Sequence, residues 1–348
     1  MVPRISLVIP AYNCEKTLKK TLDSITFQSI KPDEILIAYS ESSDNTRNIL
    51  NDYTERLNLR IIESPGKKFG PAEARNIAAS QCICDILAFT DTDCIISENW
   101  IEKILEIFND DEITVAAGPV NGAEPENIIE LYQYIFGLNI IAEDKKFNKF
   151  ILFESFGHTA NLAVRRRAFE KNKGFNQKLF FAEDHDFCAR LLQEEANILY
   201  FTSIMKIKHL YRSDLKKFCC TTLNYSAAHR HLLKNYYDGF TIKISGRKKI
   251  HFQTKFHYIF EPFSLTKKIG ILIFLSIAVS PLLLIPLIIY LIKIKSRLSL
   301  KIQSSDCPEK NKIIVSETDE YKFLLLHICE NLLSEIGEIY GYVKYRRK

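Results

Sequence analysis

The strongest constraint on the fold is an alternation of short apolar runs with stretches that have helical spacing. The apolar runs are predicted to be buried strands, and they lie at residues 5–9, 35–38, 59–62, 86–89 and 114–117. Helical spacing follows the first four runs, at residues 15–28, 46–57, 72–80 and 97–108. This repeat predicts an α/β fold with a mostly parallel central sheet that carries helices on both faces. Ligands of such open sheets bind at the carboxyl ends of the strands.

Two carboxylates one residue apart, Asp91 and Asp93, directly follow the apolar run at residues 86–89. Residues i and i+2 of a strand point to the same side, so both carboxylates can face one small volume. Close carboxylates repel each other unless a cation lies between them or one is protonated. The functional interpretation is a Mg²⁺ or Mn²⁺ ion that holds a diphosphate, because hard oxygen ligands suit these ions. The structural alternative is a polar turn that caps the next helix.

A second acidic cluster, Glu-Asp-His-Asp at residues 183–186, opens a predicted helix. The helix dipole favours carboxylates in a first turn, and Asp186 can pair with Arg190, so a purely structural role explains part of the pattern. Three carboxylates and a histidine within four residues exceed what capping needs. Three phenylalanines flank the cluster: Phe180, Phe181 and Phe187. We expect them to desolvate it and to raise a carboxylate pKa toward that of a useful general base.

His209 follows a predicted strand at residues 198–207. A lone histidine is usually structural, but this one lies among the basic residues Lys206, Lys208 and Arg212. A role facing a diphosphate or its metal is therefore a competing interpretation.

Two other stretches are interpreted as structural. Residues 124–141 are predicted to form an ordinary packing helix. The arginine run at residues 165–167 is expected to be a solvated charge run, with an anion site as the alternative.

Composition and missing motifs exclude several classes of protein. The net charge of +5 is too mild to indicate a nucleic-acid partner. Nine cysteines without a repeated metal-binding spacing, together with no evident signal peptide, favour reduced thiols in the cytosol. The first predicted strand is not followed by a Gly-rich phosphate loop, which argues against a dehydrogenase or a nucleotidyltransferase.

Five short motifs occur in a fixed order between residues 4 and 235. They are Val8-Ile9-Pro10-Ala11-Tyr12-Asn13, the Glu34-Ile35 strand that runs to Ser42-Ser43-Asp44-Asn45-Thr46, Ala74-Arg75-Asn76, Asp91-Thr92-Asp93, and Glu183-Asp184. Each motif is weak alone, but the ordered set resembles glycosyltransferase family 2, whose members have the GT-A fold. The resemblance implies an inverting enzyme that transfers a sugar from a nucleotide-diphosphate sugar to a hydroxyl acceptor. The arginine-tryptophan signature of processive polymerases is absent, which favours transfer of a single sugar.

The resemblance also implies roles for individual residues. Asp93 would coordinate Mg²⁺ or Mn²⁺, with His209 as the second predicted metal ligand. Asp184 would be the general base that deprotonates the acceptor hydroxyl, and Glu183 would bind the acceptor. The remaining implied residues bind the nucleotide sugar: Pro10, Ala11, Tyr12, Tyr39, Arg75, Asp91 and Thr92. Of these, Arg75 would lie beside the base and Asp91 on the ribose or metal side of the donor.

One position departs from the family pattern. Family members usually carry an Asp pair after the second strand, and the first Asp holds the uracil ring; here the residues are Tyr39 and Ser40. Tyr39 can stack on a base or donate through its hydroxyl, but it offers no carboxylate to the ring N–H. A UDP-sugar remains the favoured donor. The alternative function is a catalytically weak, membrane-bound relative that only binds a nucleotide sugar.

An apolar run without charged residues, at 269–292, has the length of a bilayer core of roughly 30 Å. Pro281 and Pro286 allow either a kinked transmembrane span or a re-entrant hairpin. Residues 241–268 mix basic and aromatic side chains and are expected to lie on anionic headgroups. The tail at 293–348 is predicted to contain an amphipathic helix.

The sequence thus predicts a GT-A catalytic domain at residues 1–240, an interfacial segment at 241–268, a membrane segment at 269–292 and a helical tail at 293–348. We expect the catalytic domain to face the cytoplasm at the cell membrane. The expected acceptor is a lipid-linked or cell-surface glycan, as in the synthesis of cell envelope polysaccharides.

Overall fold

The computed structural model of the chain describes residues 3–64, 68–137, 143–151, 156–211, 213–236, 240–245, 248–252, 258–260, 268–269, 284–305 and 317–346. The chain divides into two compact units. Unit 1 comprises residues 1–123 and 138–211, and unit 2 comprises residues 124–137 and 212–348. The predicted domain boundaries at 240, 268 and 292 stay predictions.

The described part of unit 1 contains strands in two sheets. In chain order the strands are β1 (Ile5–Ala11), β2 (Glu34–Ser40), β3 (Leu59–Ser64), β4 (Ile86–Phe89), β5 (Cys94–Ile96), β6 (Ile113–Ala117), β7 (Val120–Gly122), β8 (Lys145–Phe147), β9 (Leu162–Arg165), β10 (Ile198–Phe201) and β11 (Ile207–His209). The larger sheet has the order β3-β2-β1-β4-β9-β6-β10-β8, and the smaller one has the order β5-β11-β7.

The described helices span both units. In chain order they are α1 (Glu15–Thr26), α2 (Thr46–Leu57), α3 (Pro71–Ala79), α4 (Trp100–Phe108), α5 (Ile128–Phe136), α6 (Arg166–Lys171), α7 (Glu183–Leu191), α8 (Leu215–Tyr236), α9 (Leu284–Ser304) and α10 (Glu317–Arg346). Helices α5 and α8–α10 belong to unit 2.

The predicted parallel arrangement is confirmed at the centre of the large sheet. Strand β1 pairs in parallel with β2 on one side and with β4 on the other. Alternate residues of β1 serve opposite faces: Leu7 packs with the core that includes Leu18 of α1 and Trp100 of α4, and Val8 packs with the core that includes Ala78 of α3 and Phe187 of α7. Helices therefore cover both faces, as the alternation predicts.

A 3₁₀ turn, Thr159–Asn161, precedes β9, which is antiparallel to both neighbours. Another part of the sheet differs from its predicted form. The single strand expected at 198–207 is two strands in different sheets, β10 and β11. The chain turns between them where the Ser203 N–H donates to Asp144 Oδ1 at 2.7 Å. The sequence pattern does not reveal such a turn, because the turn depends on a contact with Asp144, which is distant in sequence.

The arginine run at 165–167 is not wholly solvated, which corrects the interpretation made from sequence. Arg165 Nε donates to the carbonyl of Ile113 at 2.8 Å, and Arg166 Nε donates to the carbonyl of Cys84 at 2.7 Å. Both side chains satisfy carbonyl groups at the edge of the sheet, a role that depends on tertiary contacts.

Unit 2 contains a helical cluster and a small sheet. Tyr132 of α5 is buried against Phe218 of α8 and Phe323 of α10, which confirms α5 as a packing helix, although it ends at Phe136. The small sheet has the order β13-β12-β14, and its strands are β12 (Phe240–Ser245), β13 (Lys248–Phe252) and β14 (Tyr258–Phe260). These strands fall in the predicted interfacial segment.

Most of the predicted membrane run, at residues 270–283, lies outside the described residues. Among the helices of the part that is described, none is both long enough and apolar enough to cross a bilayer. Helix α10 lies where the tail helix is predicted. Phe323, Leu324 and Leu326 are buried, whereas Leu325 and Leu332 are exposed.

Candidate active site

The segments that follow β1, β2 and β4 start from the same edge of the large sheet. In the parallel register Ala11 of β1 lies beside Tyr39 of β2, and Val8 lies beside Phe89 of β4. The segments that leave these strands, including Tyr12 and Asp91, therefore begin at the same carboxyl edge. This edge lies where the strand order reverses around β1, which is where open sheets bind ligands.

Arg75 connects the two acidic motifs. Its Nη2 donates to Asp91 Oδ1 at 2.6 Å, and its Nη1 donates to Glu183 Oε1 at 2.7 Å. Helix α3 starts at Pro71 and buries a row of alanines against the sheet, which brings the arginine close to the ends of the strands. The side chain is only 4% exposed. The structure thus places Arg75 between two carboxylates, and its predicted place beside a base stays a prediction.

The cluster has more negative than positive groups, because one guanidinium faces three carboxylates: Asp91, Glu183 and the neighbouring Asp184. Burial and the charge of Asp184 raise the pKa of Glu183 to about 7 in spite of Arg75. Burial by itself lowers the pKa of Arg75, but the charges of Asp91 and Glu183 outweigh it and raise that pKa above the ordinary value. Arg75 Nε is buried and has no hydrogen-bond partner among the described residues. A bound ligand with oxygen acceptors would satisfy it.

Asp184 has a different environment from Glu183. Its Oδ1 accepts from the backbone N–H of His185 at 2.9 Å and lies 3.0 Å from Nδ1 of the same residue. Its Oδ2 accepts from the Thr159 N–H at 3.2 Å and lies 3.7 Å from Nδ1 of His158. Burial works to raise the pKa of Asp184, but His158 and His185 hold it well below the usual range.

A raised carboxylate pKa was expected in this cluster, and Glu183 has one, although Glu183 is not the predicted base. The sequence predicted that the flanking phenylalanines would raise a carboxylate pKa in this cluster. The raised pKa belongs to Glu183, and Asp184 has a lowered one. The predicted pair of Asp186 with Arg190 is confirmed, at 2.9 Å.

The two histidines around Asp184 were not predicted as site residues. His185 stacks on Phe156 with 3.7 Å between ring centroids, and His158 meets the same ring edge-on at 5.2 Å. His185 was visible as part of the acidic cluster. No sequence signal links His158 to Asp184, since it lies in a loop before the 3₁₀ turn.

Asp93 and His209 lie together, as predicted for metal ligands. The antiparallel register of β5 and β11 places His209 opposite Cys94. The Leu210 N–H then donates to the backbone carbonyl of Asp93 at 2.7 Å, and His209 Nε2 lies 3.4 Å from Asp93 Oδ1. Donor atoms of Asp93, Cys94 and His209 all lie within 4.8 Å of one another.

The donor set fits a hard or borderline divalent ion held by Asp93 and His209. Without a bound cation, burial and the charges of Asp93 and Asp91 raise the pKa of Cys94 well above its usual value, which makes Cys94 the weakest of the three donors. His209 Nδ1 is buried and lacks a partner among the described residues. An imidazole nitrogen in this position is able to gain a partner when a ligand binds.

Tyr39 and Tyr12, which are both predicted to bind the nucleotide sugar, have different surroundings. Tyr39 is 8% exposed, its hydroxyl accepts from the Ser42 N–H at 3.1 Å, and the guanidinium of Arg47 lies 5.4 Å from its ring. Tyr12 is 40% exposed, and the Lys68 ammonium lies 3.9 Å from its ring. Tyr12 is therefore the more accessible of the two rings.

Asn76, the neighbour of Arg75 in α3, holds the backbone of Phe175 against this helix. Its Nδ2 donates to the Phe175 carbonyl at 2.7 Å, and its Oδ1 accepts from the Phe175 N–H at 2.8 Å. Gly174 has a positive φ of 62°, and a Cβ there would lie 2.5 Å from Asn76 Oδ1. The arginine and asparagine of one motif thus brace two different segments against α3.

Comparison with known proteins finds a family match in the first half of the chain. Residues 6–172, a little under half of the chain, match the family described as Glycosyl transferase family 2. O-antigen chain rhamnosyltransferase WbaN of Salmonella anatum is 30% identical over 206 residues, which are 57% of this chain and 64% of that protein. O-antigen chain rhamnosyltransferase RfbN of Salmonella typhimurium is 25% identical over 214 residues, 60% of this chain and 67% of that protein. The matches thus span about two thirds of these relatives.

A solved structure supports the fold. The mannosyltransferase PcManGT of Pyrobaculum calidifontis, in complex with GDP-Man and Mn²⁺, superimposes with a TM-score of 0.60 at 14% identity, over 98% of this chain and 88% of that one. At this identity the likeness shows an α/β, GT-A-like fold with a mostly parallel sheet. The family 2 domain and the named relatives together support a glycosyltransferase.

Proposed function

We propose that the protein is an inverting glycosyltransferase, which moves a single sugar from a nucleotide-diphosphate sugar to a hydroxyl of a lipid-linked or cell-surface glycan. The observation that carries this proposal is the position of Arg75, which bonds to Asp91 at 2.6 Å and to Glu183 at 2.7 Å. One buried side chain thereby joins the motif predicted for the donor to the motif predicted for the acceptor. A direct displacement needs both groups in one site.

On the donor side, Asp93 and His209 would hold a Mg²⁺ or Mn²⁺ ion, which would stabilise the negative charge of the diphosphate leaving group. Asp91, oriented by Arg75, faces the ribose side of the donor. Tyr12, which is 40% exposed and directly follows β1, is available to pack on the base, and Pro10, Ala11 and Thr92 are the other residues proposed for this side of the donor.

On the acceptor side, Asp184 and Glu183 lie in the first turn of α7. Asp184 is the predicted base, and its low pKa keeps it ionised at neutral pH. Glu183, with a pKa of about 7, is able to accept or donate a hydrogen bond to an acceptor hydroxyl. A base on the face opposite the leaving group produces inversion in one displacement.

The donor class is drawn from the base pocket and from related proteins. The structure of Staphylococcus aureus TarS 1-349 in complex with UDP-GlcNAc matches with a TM-score of 0.51 at 17% identity, and PcManGT was solved with GDP-Man. A UDP-sugar remains the favoured donor. A nucleotide with a different base is the alternative, because Tyr39 offers no carboxylate to the uracil ring.

A membrane partner fits the outer face of α9. Four isoleucines share that face and are each about half exposed: Ile285, Ile288, Ile289 and Ile292. They continue the uncharged run that begins at residue 269 and are followed by Lys293 and Arg297. An apolar face next to basic residues suits an anionic lipid surface. The protein would then meet a lipid-linked acceptor at the cytoplasmic face of the cell membrane.

A thermal-shift panel of nucleotide sugars, with and without Mn²⁺, tests the proposed function. We expect one nucleotide sugar to stabilise the full-length protein in a metal-dependent way, followed by release of its nucleoside diphosphate on incubation. Stabilisation without any turnover would favour the binding-module alternative. No stabilisation by any nucleotide sugar would overturn the assignment.

A further inference from the structure

A cavity of about 770 Å³ lies at the edge of the large sheet that is opposite the candidate active site. Arg4 and Asp85, which line it, directly precede β1 and β4, and Arg165 ends the antiparallel strand β9. The end of α4 and the start of α6 complete the wall. The length of β1 separates Arg4 from Tyr12 by roughly 25 Å, so the cavity is not part of the site already described.

Backbone carbonyl groups fix two of the arginines that line the cavity. Arg165 Nε donates to the carbonyl of Ile113 at 2.8 Å. Its Nη2 donates to the carbonyls of Phe108 at 3.2 Å and Asp110 at 3.0 Å. Arg166 Nε likewise donates to a carbonyl, at 2.7 Å. A guanidinium has five N–H donors, so both side chains are held in place with N–H groups to spare. Arg165 Nη1 has no hydrogen-bond partner in the part of the chain that the structure describes.

The other two arginines of the cavity, Arg4 and Arg167, are exposed. Among the described residues, neither of their side chains forms a hydrogen bond or an ion pair. The carboxylates that line the cavity are Asp85, Asp111 and Glu170. The side chain of Asp111 is 96% exposed and that of Glu170 is 57% exposed, so water screens the charges of both. The cavity therefore has an excess of positive charge.

This excess acts on Arg165, the least exposed side chain of the four arginines. Burial lowers its pKa, and the charge of Arg167 acts in the same direction, although Asp111 opposes both. An anion in the cavity would favour the charged form of the guanidinium. The paired N–H donors of arginine match the oxygens of a phosphate group. A volume of about 770 Å³ exceeds what inorganic phosphate needs and falls in the range of small-molecule sites, roughly 300–1,000 Å³.

We propose that this cavity binds the phosphate group of a soluble phosphate ester, with N–H groups of its four arginines as the donors. The ring of Phe108, which lies 5.3 Å from the guanidinium carbon of Arg165, supplies an apolar wall for the rest of the molecule. A phospholipid headgroup has the same phosphate chemistry. The exposed carboxylates of Asp111 and Glu170 would repel an anionic lipid surface, which favours the soluble ligand. The proposal does not depend on the glycosyltransferase function.

Calorimetric titration of the full-length protein with pyrophosphate in EDTA tests the site. The chelator removes divalent ions, so the candidate metal site does not contribute. Arg4→Gln/Arg167→Gln removes two guanidiniums without described partners, so the protein should stay folded, and the Kd should rise by about tenfold or more. Arg56→Gln/Arg60→Gln is the matched control, because it makes the same change of charge with exposed arginines of α2 and β3. Its Kd should stay within about twofold of wild type. An equal loss of affinity in both double variants would contradict the proposal.

A variant of the other site shows where the pyrophosphate binds. Asp93→Asn should bind pyrophosphate in EDTA with the affinity of the wild-type protein, because Asp93 lies beyond the opposite edge of the sheet. If Asp93→Asn changed the affinity and Arg4→Gln/Arg167→Gln did not, the pyrophosphate would occupy the candidate active site and the proposal would be wrong. A wild-type Kd weaker than about 1 mM would also overturn it.

Flotation with vesicles of phosphatidylcholine and phosphatidic acid distinguishes the two sources of phosphate. With a soluble ligand as the occupant, the wild-type protein, Arg4→Gln/Arg167→Gln and Arg56→Gln/Arg60→Gln should float to the same extent. Reduced flotation of Arg4→Gln/Arg167→Gln alone would assign these guanidiniums to a lipid headgroup and overturn the assignment to a soluble ester.

Discussion

Arg75 and Glu183 form a buried ion pair, with 2.7 Å between Nη1 and Oε1 and side-chain exposures of 4% and 8%. The same guanidinium contacts Asp91, so a single arginine balances carboxylates from two motifs far apart in the chain. This pair makes the site and the stability of unit 1 depend on each other.

Arg75→Met should lower the free energy of unfolding by about 3–5 kcal/mol, because it leaves Glu183 and Asp91 buried without their counter-ion. The double variant Arg75→Met/Glu183→Leu should recover part of this loss, since it removes the unpaired charge as well. Urea unfolding of the four proteins in the cycle measures the coupling. If Arg75→Met changed stability by less than about 1 kcal/mol, the pair would not contribute as described.

Glu183 should make stability decrease as the pH rises from about 4.5 to 7. Its pKa is raised to about 7 in the folded protein, from an ordinary value of 4.5, so the folded state binds its proton more tightly than the unfolded state. The contribution is complete below the unfolded pKa and is lost as the pH rises through the folded pKa. Urea midpoints measured across this range should show the slope in wild type and a smaller slope in Glu183→Gln. Equal slopes would contradict the raised pKa.

Asp184 should have the opposite effect at lower pH. Its pKa is held well below 3.8, so its stabilising contribution is present above that value and is lost as the pH falls. In Asp184→Asn, the free energy of unfolding should therefore fall less steeply on acidification below about pH 4. The same titration of urea midpoints measures it, and an unchanged acid limb in the variant would argue against the hydrogen bonds described for Asp184.

Asp93→Asn and His209→Asn should each abolish the Mn²⁺-dependent part of the thermal shift given by UDP. Both residues supply a donor atom to the same small group, and Cys94 is the third member. Cys94→Ala is the matched control, since a neutral thiol is not expected to bind a hard ion. Its melting temperature should fall because the side chain is buried, but the difference with and without Mn²⁺ should stay. Loss of that difference only in Cys94→Ala would move the metal site to the sulfur.

Tyr39→Asp should tighten UDP binding, because it offers a carboxylate to the uracil ring N–H at the position where the family resemblance implies one. The gain should approach about tenfold in Kd, the size of one charge-assisted hydrogen bond. Tyr39→Phe is the control for lost contact with the Ser42 amide, which the tyrosine hydroxyl accepts at 3.1 Å. Isothermal calorimetry at fixed Mn²⁺ reports both constants. Equal affinities for the Asp and Phe variants would show that the carboxylate is not what this pocket lacks.

The alternation of apolar runs determined the order of strands and helices in the first half of unit 1, because a buried parallel strand needs a continuous apolar segment. The sequence also predicted one metal site for Asp93 and His209, and the pairing of β5 with β11 brings these two residues together. It did not separate β10 from β11, since the turn between them depends on Asp144.

Only the tertiary structure decided the direction of the pKa shift of each acidic residue in the site. Neighbouring residues in the chain suggested one common pKa shift for the acidic cluster, but Glu183 and Asp184 shift in opposite directions. Glu183 is buried beside another carboxylate, whereas Asp184 is surrounded by N–H groups of Thr159, His158 and His185. Those donors come from a loop that is distant in sequence, and a pKa depends on which groups lie within a few ångströms of the carboxylate.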